Sequence, residues 1–159
     1  MRVLRETAKL LGLILICQAT GVLGALFTVP SIPTWYAGLN KPWFNPPNWL
    51  FGPVWTTLYL LMAIAAYLVW RQGIERPTVR RALKLFAIQL GLNAIWSPMF
   101  FGLHDVFLGL VVILLLLGLL AWTHSAFKKV SPMAAALLVP YVLWVGFASL
   151  LNSALYLLN

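Results

Sequence analysis

Three stretches of this chain repeat bulky aromatic and amide side chains at helical spacing, a pattern suited to holding a molecule rather than to breaking bonds. Trp55, Tyr59 and Met62 recur at i, i+4, i+7; Gln89, Asn93, Trp96 and Phe100 at i, i+4, i+7, i+11; Trp144, Ala148 and Asn152 at i, i+4, i+8, with Ser149 beside them. Each set falls on one face of a helix. A site facing all three would be walled by aromatics and supplied with a few amide and indole donors. That suits a large, flat, mostly apolar ligand with few polar atoms. Taken singly, Gln89, Asn93 and Asn152 read better as hydrogen-bonding glue between membrane helices. Three aligned stripes favour a pocket.

Conventional catalysis finds little to work with. The acidic residues are Glu6, Glu75 and Asp105, and no two of them form a pair for acid/base work. His104 and His124 lie about 20 residues apart, roughly 30 Å along a helix, too far to share a metal. Cys17 stands alone, so neither an internal disulfide nor a CxxC site is available. No Ser/His/Asp set, Gly-rich phosphate loop or EF-hand spacing occurs. The expectation is a site with no metal and no required cofactor.

The elements that position these stripes are set by charge and hydropathy. Of 159 residues, 62% are hydrophobic and 9% charged, and the mean hydropathy is +0.92. A soluble domain needs more charge than this to cover its surface. The charged residues divide the chain into apolar runs long enough to cross a bilayer. The spans are expected near 8–28, 49–70, 84–103, 106–127 and 132–157, forming one membrane domain over 1–159. Backbone satisfaction in lipid makes each a helix. Residues 10–29 are too long for a secretory signal core and read as a retained first span. Pro98 and Pro140 interrupt their helices and are expected to kink them. The fold class is therefore all-α: a five-span integral membrane bundle.

The net charge of +8 points to the anionic leaflet rather than to nucleic acid. With five spans, Arg2, Arg5, Lys9, Arg71, Arg76, Arg80, Arg81, Lys84, Lys128 and Lys129 share one side, and Lys41 alone lies on the other. The bias toward cytoplasmic basic residues puts the N-terminus inside and the first loop and C-terminus outside. That first loop, 29–48, is long for so small a bundle. It holds Trp35, Tyr36, Trp43 and Phe44 and half of the prolines, Pro30, Pro33, Pro42, Pro46 and Pro47. Stiffened by proline and rich in aromatics, it reads either as a lid over the helices or as an interfacial aromatic belt. Gly21 with Ala25, and Ala87 with Gly91, fit the small-xxx-small packing pattern. The second pair could form a homodimer seam on the third span or pack within the monomer.

WYAGLNKPWFNPPNW (35–49), GPVWTTLY (52–59), QLGLNAIWSPMFFG (89–102) and VPYVLWVGFASLLN (139–152) together resemble the tryptophan-rich sensory protein/translocator protein family, TspO/MBR, which includes the peripheral-type benzodiazepine receptors. The resemblance runs from about Gly21 to Asn152. It implies a five-helix bundle, often homodimeric, whose cavity is closed by the first loop. It also implies binding of porphyrins such as protoporphyrin IX and haem, of isoquinoline carboxamide and benzodiazepine drugs, and of sterols in animal forms. By position, Trp55, Asn93, Trp96, Trp144, Ala148 and Leu151 resemble the family's pocket residues, and Trp35 and Trp43 its lid. Tyr59, Gln89 and Phe100 join the expected ligand-binding set from their spacing. Bacterial relatives are linked to light-dependent porphyrin breakdown, which makes Trp55 and Trp144 the candidates for any catalytic part.

The chain also departs from the family pattern. No basic residue follows Tyr156, where animal forms carry a proposed cholesterol motif, and Leu108 and Val112 stand where animal forms have Trp and Asp. It resembles a microbial member, which implies a microbial cell membrane. Binding protein or sensor, light-dependent porphyrin-degrading enzyme, and transporter of tetrapyrrole, lipid or sterol are the three readings. Nothing resembles an inverted repeat.

Overall fold

The computed structural model describes residues 2–159, with side chains from Val3 onward. Five long helices follow one another: α1 (Arg2–Ser31), α2 (Asn48–Trp70), α3 (Pro77–Ser97), α4 (Val106–Val130) and α5 (Pro132–Leu158). Each is long and apolar enough to cross a membrane, and no strand occurs among the described residues. The protein is a multi-pass integral membrane bundle.

Its helices start where the local chemistry allows. Pro77 and Pro132 occupy the first turns of α3 and α5, where a missing N–H costs nothing. Asp105 caps α4 by accepting from Leu108 N at 2.8 Å, and Ser131 caps α5 by accepting from Ala134 N at 3.3 Å. Two helices begin earlier than the charge-free runs suggest: α1 at Arg2 rather than 8, α3 at Pro77 rather than 84. Their first turns carry Arg5 and Lys9, and Arg80, Arg81 and Lys84. Charge marks the edge of the lipid, but the backbone stays helical beyond it because long basic side chains reach back to water. At its other end α1 runs through Pro30 to Ser31, which trims the first loop to 32–47.

The helices close into a ring in the order α1, α2, α5, α4, α3. α1 is the least embedded member: 17% of its most apolar stretch is buried, against 33% to 44% for the others. Its inner face, Leu13, Cys17 and Thr20, recurs every three or four residues. The core away from the first loop is built from small residues interleaved with large ones, among them Ala65, Ala66, Ala82, Ala134, Leu120, Phe127 and Leu138.

Pro98 ends α3 without bending the chain out of the bundle. It opens a wide five-residue π turn, Pro98–Gly102, in which Leu103 N donates to Pro98 O at 2.9 Å. Such turns commonly accompany functional sites. Pro140, by contrast, lies within an unbroken α5. On the lipid side of α3, Ala87 and Gly91 are exposed beside Ile88 and Ile95, and a Cβ placed on Gly91 would meet no atom within 4 Å.

Candidate functional site

The aromatic stripes of α2, α3 and α5 meet at the end of the bundle under the first loop. They surround an internal cavity of about 70 Å³. Phe51 and Trp55 come from α2, Trp96 from α3, Phe100 and Phe101 from the π turn, and Trp144, Ala148, Leu151, Asn152 and Leu155 from α5. Thr28 of α1 and Ile32 and Tyr36 of the loop complete the wall. Trp96 stacks on Phe100 at 5.4 Å between centroids, and Phe51 meets Trp144 edge to face at 6.1 Å. A second space of about 430 Å³ lies between α1 and α2. Trp55 and Trp96 border both spaces.

Polar groups near the cavity are mostly engaged with one another. Tyr59 Oη donates to Asn93 Oδ1 at 2.6 Å. Asn93 Nδ2 donates to Tyr141 Oη at 2.7 Å, and Tyr141 Oη donates to Gln89 Oε1 at 2.9 Å. This relay ties α2, α3 and α5 together just beyond the cavity. Gln89 is fully buried beside Met62 and does not line the cavity. Asn93 and Tyr59 border the α1–α2 space instead. The amide that does line the cavity is also engaged: Asn152 Oδ1 accepts from Trp96 Nε1 at 3.4 Å, and its Nδ2 donates to Val106 O at 3.1 Å. The exception is Trp144. Its Nε1 is buried and, among the described residues, lacks a hydrogen-bond partner. Such a donor costs about 1–3 kcal/mol until an acceptor meets it.

The loop covers the cavity and is fastened at several points. Trp35 stacks on His104 at 4.8 Å and packs edge-on against Phe100 at 5.3 Å. His104 holds a left-handed backbone (φ +56°) in the α3–α4 connection. Tyr36 Oη donates to Asn45 Oδ1 at 2.6 Å. Burial pushes its hydroxyl up to about 12, so it stays a protonated donor at neutral pH. Asn40 and the C-terminal Asn159 exchange two bonds, Asn40 N to Asn159 Oδ1 at 2.9 Å and Asn159 Nδ2 to Asn40 O at 3.0 Å. Asn40 Nδ2 adds a third to Leu158 O at 3.2 Å. Trp43 takes no part in this cover: it is 95% exposed, touching Phe44 at the rim.

The fold therefore brings Trp55, Trp96, Phe100, Trp144 and Ala148, expected from spacing, and Leu151, expected from the resemblance, to one wall, and leaves Trp35 above it, Gln89 below it and Trp43 outside. Phe51 and Leu155 were missed, although each lies one turn from a residue already on the wall. Phe101 could not be found that way, because only the π turn points two consecutive phenylalanines inward. Gly109 of α4 allows this, since a Cβ there would stand 2.5 Å from the Phe100 ring.

A profile of the TspO/MBR family matches residues 13–157. The chain belongs to the TspO/MBR family. It is 45% identical over 157 residues to the tryptophan-rich protein TspO of Archaeoglobus fulgidus, covering 95% of this chain and 97% of that one. The translocator protein of Bos taurus is 42% identical over 143 residues, covering 89% and 84%. The tryptophan-rich sensory protein of Cereibacter sphaeroides is 37% identical over 154 residues, covering 97% and 93%. Family membership thus spans the helices that build the cavity, from Leu13 on α1 to Leu157 on α5.

Proposed function

We propose that this TspO/MBR protein is a membrane binding protein and sensor for porphyrins, protoporphyrin IX or haem, and for comparable flat apolar ligands including isoquinoline carboxamide and benzodiazepine-type drugs. The observation that supports this most directly is the aromatic cavity lined by Trp55, Trp96 and Trp144, the last with a buried Nε1 that lacks an acceptor among the described residues. A macrocycle would lie against these three rings, and in a widened cavity a carbonyl or carboxylate on its edge would reach that indole donor. About 70 Å³ holds only a couple of water molecules. Ligand binding therefore requires the cavity to widen, and the adjoining 430 Å³ space is the room within reach. The cytoplasmic N-terminus implied by the basic residues would place the loop and C-terminus outside a microbial cell membrane. The exposed Ala87–Gly91 face of α3 would serve a second copy.

The test is titration of the purified protein with protoporphyrin IX, following tryptophan quenching first in the dark and then under light. Saturable quenching that weakens in Trp144→Phe and Trp55→Phe supports the pocket. A light-dependent product absent with free porphyrin would add catalysis by Trp55 and Trp144. Quenching that rises linearly and ignores both substitutions would sink the proposal.

A further inference from the structure

The cavity has two boundaries, and they differ in how firmly they are held. Toward the loop, leaving the cavity means breaking the Trp35–His104 stack, the Tyr36–Asn45 bond and the three bonds that fasten Asn40 to the end of α5. Toward the lipid, the α1–α2 space abuts the cavity through five residues common to both linings: Thr28, Ile32, Phe51, Trp55 and Trp96. Small residues line that side: Gly24 and Ala25 from α1 and Gly52 from α2, where an added Cβ would meet no atom within 4 Å.

The space is a groove with a floor and a back wall. Gln18 Nε2 donates to Thr56 O at 3.0 Å and joins α1 to α2 at the floor. Ser97 Oγ donates to Gly24 O at 2.8 Å and holds α1 against α3 behind it. One turn above the Gln18 bond, Gly21 of α1 lies against the edge of the Tyr59 ring, an apolar contact. Around the opening, Val22, Val29 and Trp49 are 62%, 65% and 72% exposed, a surface that fits acyl chains rather than water. α1 is also the least embedded helix, so the groove it borders is backed by the least packing.

We infer that the groove between α1 and α2 is a portal to the bilayer, through which a flat apolar ligand passes sideways from the lid-side leaflet into the cavity while the loop stays fastened. This rests on the cavity being the ligand site. The physical reason is additive. An apolar ligand is concentrated in the bilayer, and the sideways path runs between the Gln18–Thr56 bond at the floor and the α1–α3 bonds behind, so it displaces the rings of Phe51, Trp55 and Trp96 while every fastening of the loop stays made.

Protoporphyrin IX exchange in lipid nanodiscs tests it, with stopped-flow tryptophan quenching giving both rates and a titration giving the affinity. Gly52→Phe plugs the groove from α2, and Ala25→Phe plugs it from α1 should the first fail to fold. Asn159→Ala loosens the loop. The expected result is that either plug slows association and dissociation alike by about tenfold, the size of one displaced overpacked ring, with affinity unchanged and Asn159→Ala without effect. Faster exchange in Asn159→Ala with no change from the plugs would make the loop the route and overturn the portal. A plug that lowers affinity at an unchanged association rate would make the groove part of the binding site and also overturn it. Absence of saturable quenching in the wild type would instead remove the cavity as a ligand site, and the portal with it.

Discussion

The two ends of this bundle are packed on different principles. At the basic end, alanines alternate with large side chains: Ala65, Ala66, Ala82 and Ala134 let the helices approach, while Leu120, Phe127 and Leu138 fill what remains, all of them fully buried. At the loop end, most rings meet at steep angles, as Trp35 with Phe100, Trp96 with Phe101, Phe100 with Phe101 and Phe51 with Trp144 do, and Trp96 stacks on Phe100. Flat rings packed edge to face leave gaps that branched aliphatic chains would fill. The Tyr59–Asn93–Tyr141–Gln89 relay lies between the two and pins three helices together. The difference is a division of labour: one end fills its interior and holds the helices in place, and the other leaves the cavity that the proposed ligand would enter.

The sharpest way to break that comparison is to hollow the solid end. Phe127→Ala should cost about 3–5 kcal/mol of stability, since the ring is fully buried against Phe86. Unfolding in graded denaturing detergent measures this, and the porphyrin affinity of the folded fraction should stay as it was. A large loss of affinity at unchanged stability would mean that the two ends are not separate.

Cutting the relay should be next in size. Asn93→Leu leaves the Tyr59 and Tyr141 hydroxyls short of partners in the interior and should destabilise by about 2 kcal/mol, more than the ~0.6 kcal/mol average for a bond between membrane helices. The same unfolding experiment reads it. If stability is unaltered and only porphyrin affinity falls, Asn93 is a ligand contact and the relay carries little of the fold.

At the loop end the order reverses, with affinity expected to change and stability to hold. Trp144→Phe keeps an aromatic wall and deletes the unpartnered Nε1. It should weaken porphyrin binding about tenfold, or ~1.4 kcal/mol, with stability equal to or above wild type. Asn159→Ala removes two of the loop's fastenings and should open residues 35–45 to hydrogen exchange by about 1 kcal/mol. Protection elsewhere should be unchanged. Trp43→Ala, on a ring that is 95% exposed, should alter affinity by less than about 0.5 kcal/mol. A larger loss in the same titration would show that the loop folds further inward around a ligand.

Much of this was legible from residue type and spacing alone. Apolar runs separated by charge gave five helices, because a lipid-embedded backbone has no other way to satisfy itself than to become helical or to close a barrel. Helical periodicity put Trp55, Trp96, Phe100 and Trp144 on faces that do converge, because an i, i+4 pair shares a face in any helix. Spacing could not separate Gln89 and Asn93 from the cavity wall. An amide on the inward face looks the same in sequence whether it meets a ligand or, as here, two tyrosines from neighbouring helices. Trp35 and Trp43 are equally alike in a linear reading, and only the folded loop separates the ring stacked on His104 from the one left in the open.

By itself, then, the sequence determined the class of solvent, the number of spans and the faces that turn inward, because these follow from local composition and the fixed pitch of a helix. Only the tertiary structure decided the ring order α1, α2, α5, α4, α3, the π turn that points both Phe100 and Phe101 into the bundle, the partner of each buried amide and the groove beside α1. Those depend on contacts between residues far apart in the chain, and such contacts are set by how whole helices fit against one another rather than by any one stretch of residues.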